Sequence, residues 1–425
     1  MKRFILFAIA LVSLNASSQS LLDLYRKGTV KLIPEANYGQ GNQWDSIFDS
    51  YNDYPDEKRS ASDRMSIVMM PDGSIVVNHP KRDYFSRFDP NGKFVKNFSI
   101  VDKSGKPMKN RLDIQGVINQ NFYTKADNAG NIRCVDFDGN YLKTLRLNYM
   151  LYDMIPMKDN KLAVVGFAVW KNKSSRRFVA IVDYNTNEEK IIWDAFDDEK
   201  SAPRMIVRDE GWSPSPSDYE RMKVPPFGYS YYYNQIIAKT PIIQFTHDLL
   251  VVALPSLGEI RMYDINGKLQ KTQQVDWPAN LISVDEQKDL LRNVIEAYKK
   301  TPLTDKVSKN EAEKAREEVL VDLNASLEKI KIPIELPSFS NVLKDSDGNL
   351  LFFEFPKEKG GNRFNVWIFR DGGKFECQCS FECDDYDLAI TPAKMIFHEG
   401  YIYALQKPKN AQDIPLRLIK FKLSN

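Results

Sequence analysis

Short apolar runs alternate with tight-turn signals along most of the chain. Residues 65–98, MSIVMMPDGSIVVNHPKRDYFSRFDPNGKFVKNF, show the unit most plainly. Runs at 65–70, 74–78, 83–88 and 93–98 are separated by Pro71-Asp72-Gly73, His79-Pro80-Lys81 and Asp89-Pro90-Asn91-Gly92. Asp-Gly and Asn-Gly supply the positive φ angles that a hairpin turn needs, so the pattern predicts four antiparallel strands. Four strands of this length cannot bury both faces alone. Such a meander is stable when stacked against neighbours, and the unit is therefore expected to repeat.

The same plan recurs from 113 to 147, from 152 to 193, from 242 to 275 and from 340 to 381. A further unit has strands at 395–397, 401–406 and 416–422 and then ends one strand short. Residues 29–33, TVKLI, precede the first unit with no other partner and supply the missing outermost strand. Pairing the two termini in this way joins first and last units without an exposed edge. The expected fold is all-β, a six-bladed β-propeller closed by an N-terminal strand, with seven blades as the alternative count.

Two segments depart from the repeat. Residues 195–239 link the third and fourth units and contain Trp212, Ser213-Pro214-Ser215-Pro216, Pro225-Pro226 and Tyr229, Tyr231, Tyr232 and Tyr233. Residues 276–336 link the fourth and fifth. Here Ser283 with Glu286, and Ser308 with Glu311, each fit a capping box, and Pro302 and Pro333 end the helices. Leu290, Leu291, Val294, Ile295 and Tyr298 form one apolar stripe, and Leu320, Leu323, Leu327 and Ile330 a second. The pattern predicts a helical hairpin laid against the propeller between blades four and five. Both segments are inter-blade connections, so both belong to the end of the ring opposite the tight turns. Loops on a rigid scaffold usually carry binding, which makes that end the expected place for a ligand or partner.

Composition narrows the class. Hydrophobic residues make up 43% and aromatic residues 12% of the 425 positions, enough for a real core. A net charge of +2 with no dense Lys/Arg stripe argues against nucleic acid as the partner. Lys2-Arg3, an apolar run from 4 to 14 and Ala16-Ser17-Ser18 form the signature of a signal peptide over 1–18. The rest, 19–425, is expected to be a single domain, secreted or periplasmic. No cysteine follows the apolar run to take a lipid, and no later stretch is long and apolar enough to span a membrane.

The segment PDGSIVV…FDPNGKFVKNF resembles NHL-type six-bladed propeller repeats. The stretches YGQGNQWDSIF (38–48), LPSFSNVLKDSDGNLLFF (336–353) and VWIFRDGGKF (366–375) are similar to the secreted NHL-like six-bladed propellers common in Bacteroidetes, which are largely uncharacterised. The resemblance implies the fold and carries no activity with it, because a propeller is a scaffold for unrelated functions.

Candidate chemistry is sparse. The ligand-binding candidates are Trp212, Tyr219, Phe227, Tyr229 and Tyr232, whose flat rings can stack on a sugar or peptide. Tyr231 and Tyr233 are expected to pack against a blade. His247 and His398 sit at first-to-second-strand turns and His79 at the opposite end, which argues against one three-histidine metal site and for surface turn residues. Asp72, Asp89, Asp138, Asp264 and Asp347 lie in turns, where they satisfy backbone donors. Calcium held near the central channel is possible without a local signature. Cys377, Cys379 and Cys383 read as buried thiols or one local disulfide. No G-x-S-x-G, P-loop or H-E-x-x-H occurs. The expected function is a non-catalytic binding or scaffolding protein that recognises a glycan, peptide or envelope protein. The alternative is a metal-dependent hydrolase or lyase with its site at the channel.

Overall fold

The computed structural model describes residues 20–48, 65–79, 83–108, 112–126, 130–169, 175–195, 241–277, 281–300, 303, 308–331, 333–335, 338–354, 362–370, 373–388, 395–409 and 416–425. The expected signal peptide and most of the 195–239 segment lie outside them. Strands dominate. Strand β1 (Thr29–Pro34) is followed by a first sheet of β2 (Ser66–Met69), β3 (Ile75–Asn78), β4 (Phe85–Phe88) and β5 (Phe94–Phe98). A second sheet contains β6 (Leu112–Ile118), β7 (Asn121–Ala126), β8 (Asn131–Asp136) and β9 (Tyr141–Arg146). The third has β10 (Met150–Pro156), β11 (Lys161–Val169), β12 (Ser175–Asp183) and β13 (Glu189–Asp194). The fourth has β14 (Ile242–Thr246), β15 (Leu249–Leu254), β16 (Glu259–Asp264) and β17 (Leu269–Gln274). Each is an antiparallel meander in chain order.

After a two-residue ladder of β18 (Leu281–Ile282) with β19 (Ile334–Glu335), the remaining strands form one larger sheet. Its first half is the meander β20 (Phe339–Lys344), β21 (Leu350–Glu354), β22 (Arg363–Arg370) and β23 (Lys374–Glu382). Its second half is β25 (Met395–His398), β26 (Tyr401–Pro408) and β27 (Arg417–Ser424), with β24 (Tyr386–Asp387) on the far edge of β26. Strand β1 joins the halves. It runs antiparallel to β27, Leu32 facing Leu423 and Ile33 facing Lys422, which is the terminal pairing expected from the sequence. It also runs parallel to β23, Thr29 facing Ser380 and Lys31 facing Glu382, which the sequence pattern does not suggest.

The first strands of successive meanders touch in series: β2 with β6, β6 with β10, β10 with β14, β14 with β20, β20 with β25, and β25 with β2 again. The buried side chains obey the same circuit. Ile114, Phe122 and Val135 of the second sheet pack on Val76 and Phe98 of the first, and Leu250, Val252 and Tyr263 of the fourth on Val165 and Val179 of the third. The circle shuts where Tyr403, Leu405 and Leu418 meet Ile67, Ile75 and Val77.

The N-terminal arm seals the two contacts flanking the last meander. Helix α1 (Leu21–Tyr25) is capped by Ser20, whose Oγ accepts from the Asp23 N–H at 3.1 Å. It inserts Leu22, Leu24 and Tyr25 into the cluster formed by β20–β23 and β25–β27. The Tyr25 hydroxyl donates to Asp345 Oδ2 at 3.1 Å. Beyond β1, Tyr38, Trp44 of the short helix α2 (Trp44–Ile47) and Phe48 pack where the last meander meets the first sheet.

Helices α3 (Val284–Lys300) and α4 (Lys309–Lys329) follow β18 and pack against each other as a hairpin. Both capping boxes are present, with Ser283 and Ser308 each exchanging bonds with the glutamate three residues on. Its buried cluster, with Ile295 and Tyr298 against Val319 and Leu323, draws on the two helices only among the described residues. The hairpin thus carries its own small core, and its base is pinned by the β18–β19 ladder.

All four cysteines are free thiols, so of the two readings of Cys377, Cys379 and Cys383 the disulfide is set aside. Cys379 and Cys383 are buried and Cys377 half-buried, and burial pushes each thiol upward.

Two predictions follow from these contacts. Replacing Tyr25 by Ala empties a fully buried ring position and is expected to cost about 3–5 kcal/mol. Tyr25→Phe removes only the hydroxyl bond, at about 1 kcal/mol. Urea unfolding measures both, and a Tyr25→Ala loss below that of Tyr25→Phe contradicts the account. The turn aspartates set an acid limit. The Lys268 N–H holds the Asp264 carboxyl below its ordinary 3.8, and the Thr186 N–H does the same for Asp183. Because these values are lower folded than unfolded, the stabilisation is present above 3.8 and is lost as pH falls through the folded values. The double variant Asp183→Asn/Asp264→Asn keeps acceptors but cannot titrate. Its melting temperature is expected to fall less steeply below that pH than the wild type's.

Candidate functional site

The two ends of the strand circuit differ in how their polar groups are used. At the end holding the first-to-second and third-to-fourth strand turns, aspartates tie the backbone down. Asp89 Oδ1 accepts from the N–H groups of Asn91 at 2.9 Å and Lys93 at 2.8 Å. Asp136 does the same for Asp138 and Asn140, Asp264 for Asn266 and Lys268, and Asp345 for Asp347 and Asn349. The sequence reading is therefore corrected at two turns. The accepting carboxylates there are Asp136 and Asp345, while Asp138 and Asp347, two residues on, offer their N–H groups. The glycine after each takes positive φ, as the turn requires.

The opposite end, where strands cross from one sheet to the next, holds buried polar groups instead. Counting rungs of each first hairpin from its tight turn, the fourth carries Ser66 on β2, Asp153 on β10 and Asn341 on β20. The intervening first strands put Ile114, Ile243 and Met395 on that rung. Polar and apolar residues thus alternate around the circuit. Asp153 and Asn341 each directly follow an irregularity in the register, where one extra residue (Tyr152, Ser340) enters the strand. Such bulges re-aim the next side chain and recur beside functional sites.

Each polar member has a different environment. Ser66 accepts a short bond from Asn78 Nδ2. The Asn78 amide also bridges to the next sheet, donating to Ile114 O at 3.1 Å and accepting from Ile114 N at 3.3 Å. Asp153 is half-buried and accepts from the Met154 N–H at 2.8 Å. Burial pushes its carboxyl above the ordinary value, against the pull of the nearby Lys125 cation, whose Nζ donates to Tyr152 O at 3.2 Å. Arg177 is buried at the same end of the third sheet, and burial lowers its guanidinium to about 10. Asn341 is fully buried, yet neither its amide oxygen nor its nitrogen has a hydrogen-bond partner among the described residues. A buried amide left in that state costs about 1–3 kcal/mol, so a chain that keeps one has a use for it or a group to satisfy it.

The histidines divide. His247 is exposed and His398 half-exposed, both in first-to-second-strand turns as expected. His79 is not a surface residue. It is 4% exposed, lies between the rings of Phe48 and Tyr84, and meets Ser86 Oγ through Nε2 at 2.8 Å. The Phe48 ring of the N-terminal arm closes over it, and no local signal in the His79-Pro80 turn announces that cover. The candidates Trp212, Tyr219, Phe227, Tyr229 and Tyr232 lie outside the described residues, so the structure neither joins them to this rung nor separates them from it. Among the described residues no group of three or more His, Cys, Asp or Glu is close enough to hold a metal ion, and no helix is long and apolar enough to cross a membrane.

Comparison with known proteins finds no matching family profile and no matching curated protein. Solved structures do match. A member of the DUF4221 family from Bacteroides vulgatus is 12% identical with a TM-score of 0.46, over 85% of this chain and 92% of that one. A streptogramin B lyase is 8% identical with a TM-score of 0.38, over 93% and 97%. The β-propeller domain of Cps50 from Myceliophteria thermophila is 9% identical with a TM-score of 0.35, over 85% and 96%.

The fourth-rung arrangement yields a stability prediction. Asn341→Leu, nearly equal in volume, is expected to raise stability by about 1–3 kcal/mol, because it removes an unpaired buried amide. The urea midpoint measures the change, and a loss of similar size would show that the amide is satisfied in the native protein.

Proposed function

We propose that the chain is an exported six-bladed β-propeller, residues 19–425 after an 18-residue signal peptide, that binds a ligand without transforming it. The blade count rests on the closed series of first-strand contacts, with β1 completing the last blade beside β27. Its binding surface is the end that carries the inter-blade connections, and its ligand is a glycan, a peptide or another envelope protein. The observation that carries the reading is Asn341, buried with both amide atoms unpaired on a rung it shares with Asp153 and Ser66. An amide presents one acceptor and two donors, which matches the hydroxyl and amide groups of sugars and peptides. The aromatic candidates Trp212, Tyr219, Phe227, Tyr229 and Tyr232 belong to a connection on the same end and would supply stacking surface.

The test is a screen of the full mature chain against glycan and peptide arrays, followed by calorimetry with the best hit. Binding is expected to weaken at least tenfold in Asn341→Leu and in the double variant Trp212→Ala/Tyr229→Ala, since each loses about 1.4 kcal/mol or more of contact. Recovery of the hit unchanged after incubation supports a binder. Its cleavage, or binding that survives both variants, overturns the proposal.

A further inference from the structure

A second site lies at the other end of the molecule. Between the fourth sheet and the β20–β23 meander, a cavity of about 220 Å³ opens beside the tight turns. Its walls are apolar, formed by Leu249, Val251 and Met262 on one side and Leu350 on the other. Its polar groups are Thr246, His247 and the Arg370 guanidinium. Two glycines make the space. Gly348 has φ +82°, and a Cβ there would stand 1.9 Å from the His247 ring. Gly373 has φ +74°, and a Cβ there would meet the Met262 methyl at 2.6 Å. Any side chain at either position would push its neighbour into the cavity.

The charge beside it is unbalanced. Arg370 reaches Glu376 Oε1 at 3.4 Å through Nε, but the same carboxylate also takes Arg26 at 2.8 Å and Lys374 at 3.4 Å. Arg26 lies 3.7 Å from Asp23 as well. Among the described residues three cations therefore share two carboxylates, a surplus of one positive charge on the group that includes the cavity's Arg370. The Arg370 side chain is 49% exposed.

We infer that this cavity binds a small monocarboxylate with a flat or short apolar body, the acid group paired with Arg370. Size supports the apolar part. A dry protein cavity of about 150 Å³ accommodates benzene, so the present one admits a ring with a short acid arm. Charge supports the acid part, because a planar guanidinium matches a carboxylate in two parallel bonds. The site is separate in place and chemistry from the fourth-rung amide, and it stands whether or not that reading does.

Phenylacetate, phenylacetamide and phenethylamine are the probes, since they share a ring and differ in charge. They are titrated against the full mature chain by calorimetry and by methyl NMR of Met262. Phenylacetate is expected to bind saturably and to shift the Met262 methyl. The amide should bind at least tenfold more weakly and the amine not at all. In Arg370→Gln the acid and the amide should become equal, whereas Arg370→Lys should retain part of the preference. Val251→Phe, which fills the cavity, should abolish binding of all probes, with circular dichroism to show that the variant folds. Equal affinity for acid and amide in the wild type overturns the charge assignment. No saturable shift with any probe, or binding that persists in Val251→Phe, shows the cavity to be a packing gap and overturns the proposal.

Discussion

Strand β1 is hydrogen-bonded along both edges, and the closure of the structure depends on it. On one side its partner is the last strand of the chain, and on the other it is the outer strand of the preceding meander. The ladder therefore bridges residues separated by more than 300 positions in both directions. Closing loops of that length costs little more than closing short ones, because the entropy grows only with the logarithm of length. What must be supplied is local. Main-chain bonds, the Lys31–Glu382 ion pair at 2.7 Å, and the burial of Val30 and Leu32 supply it. The flanking residues finish the seal. Tyr25 wedges the contact before the last meander and Phe48 the contact after it, so one arm of fewer than 30 residues holds the last meander on both sides.

The fold was largely legible because the turns are explicit. The D-x-N-G and D-x-D-G runs mark four of the hairpin reversals, and alternation states which residues pack. The helix caps at Ser283 and Ser308 were equally plain. Three features were not. The parallel register of β1 with β23 depends on which two open edges come together in space, and TVKLI reads the same whichever edge it joins. The burial of His79 depends on Phe48, about 30 residues earlier and beyond any local pattern. Asn341 in FSNVLK alternates with Phe339 and Leu343, and nothing in that pattern says that its buried amide is left without a partner.

The same geometry explains why the two ends have different chemistry. At the tight-turn end each accepting aspartate is engaged by the backbone of its own turn, so these carboxylates have little capacity left for a ligand. At the opposite end the chain crosses between sheets, and side chains must satisfy backbone groups that no ladder reaches. Asn78 does this for Ile114, bonding both its N–H and its C=O. Asn341 stands on the equivalent inner wall two sheets from β10 with no such task, and burial raises the Asp153 carboxyl above its ordinary value there. A carboxyl and an amide kept in that condition lower the stability of the fold.

The cavity beside His247 follows from uneven packing of one interface. Where the fourth sheet meets β20–β23, rings fill much of the interface: Trp277 lies 4.6 Å from Phe339 and 5.6 Å from Phe369 between centroids, and Phe339 is 5.3 Å from Phe352. Beside the first-to-second-strand turns the facing residues are instead aliphatic side chains and glycines 348 and 373, which leave the space unfilled. Larger residues are barred from both glycine positions by positive φ. The void is therefore set by turn chemistry, since a side chain at either glycine would strain the hairpin that positions it.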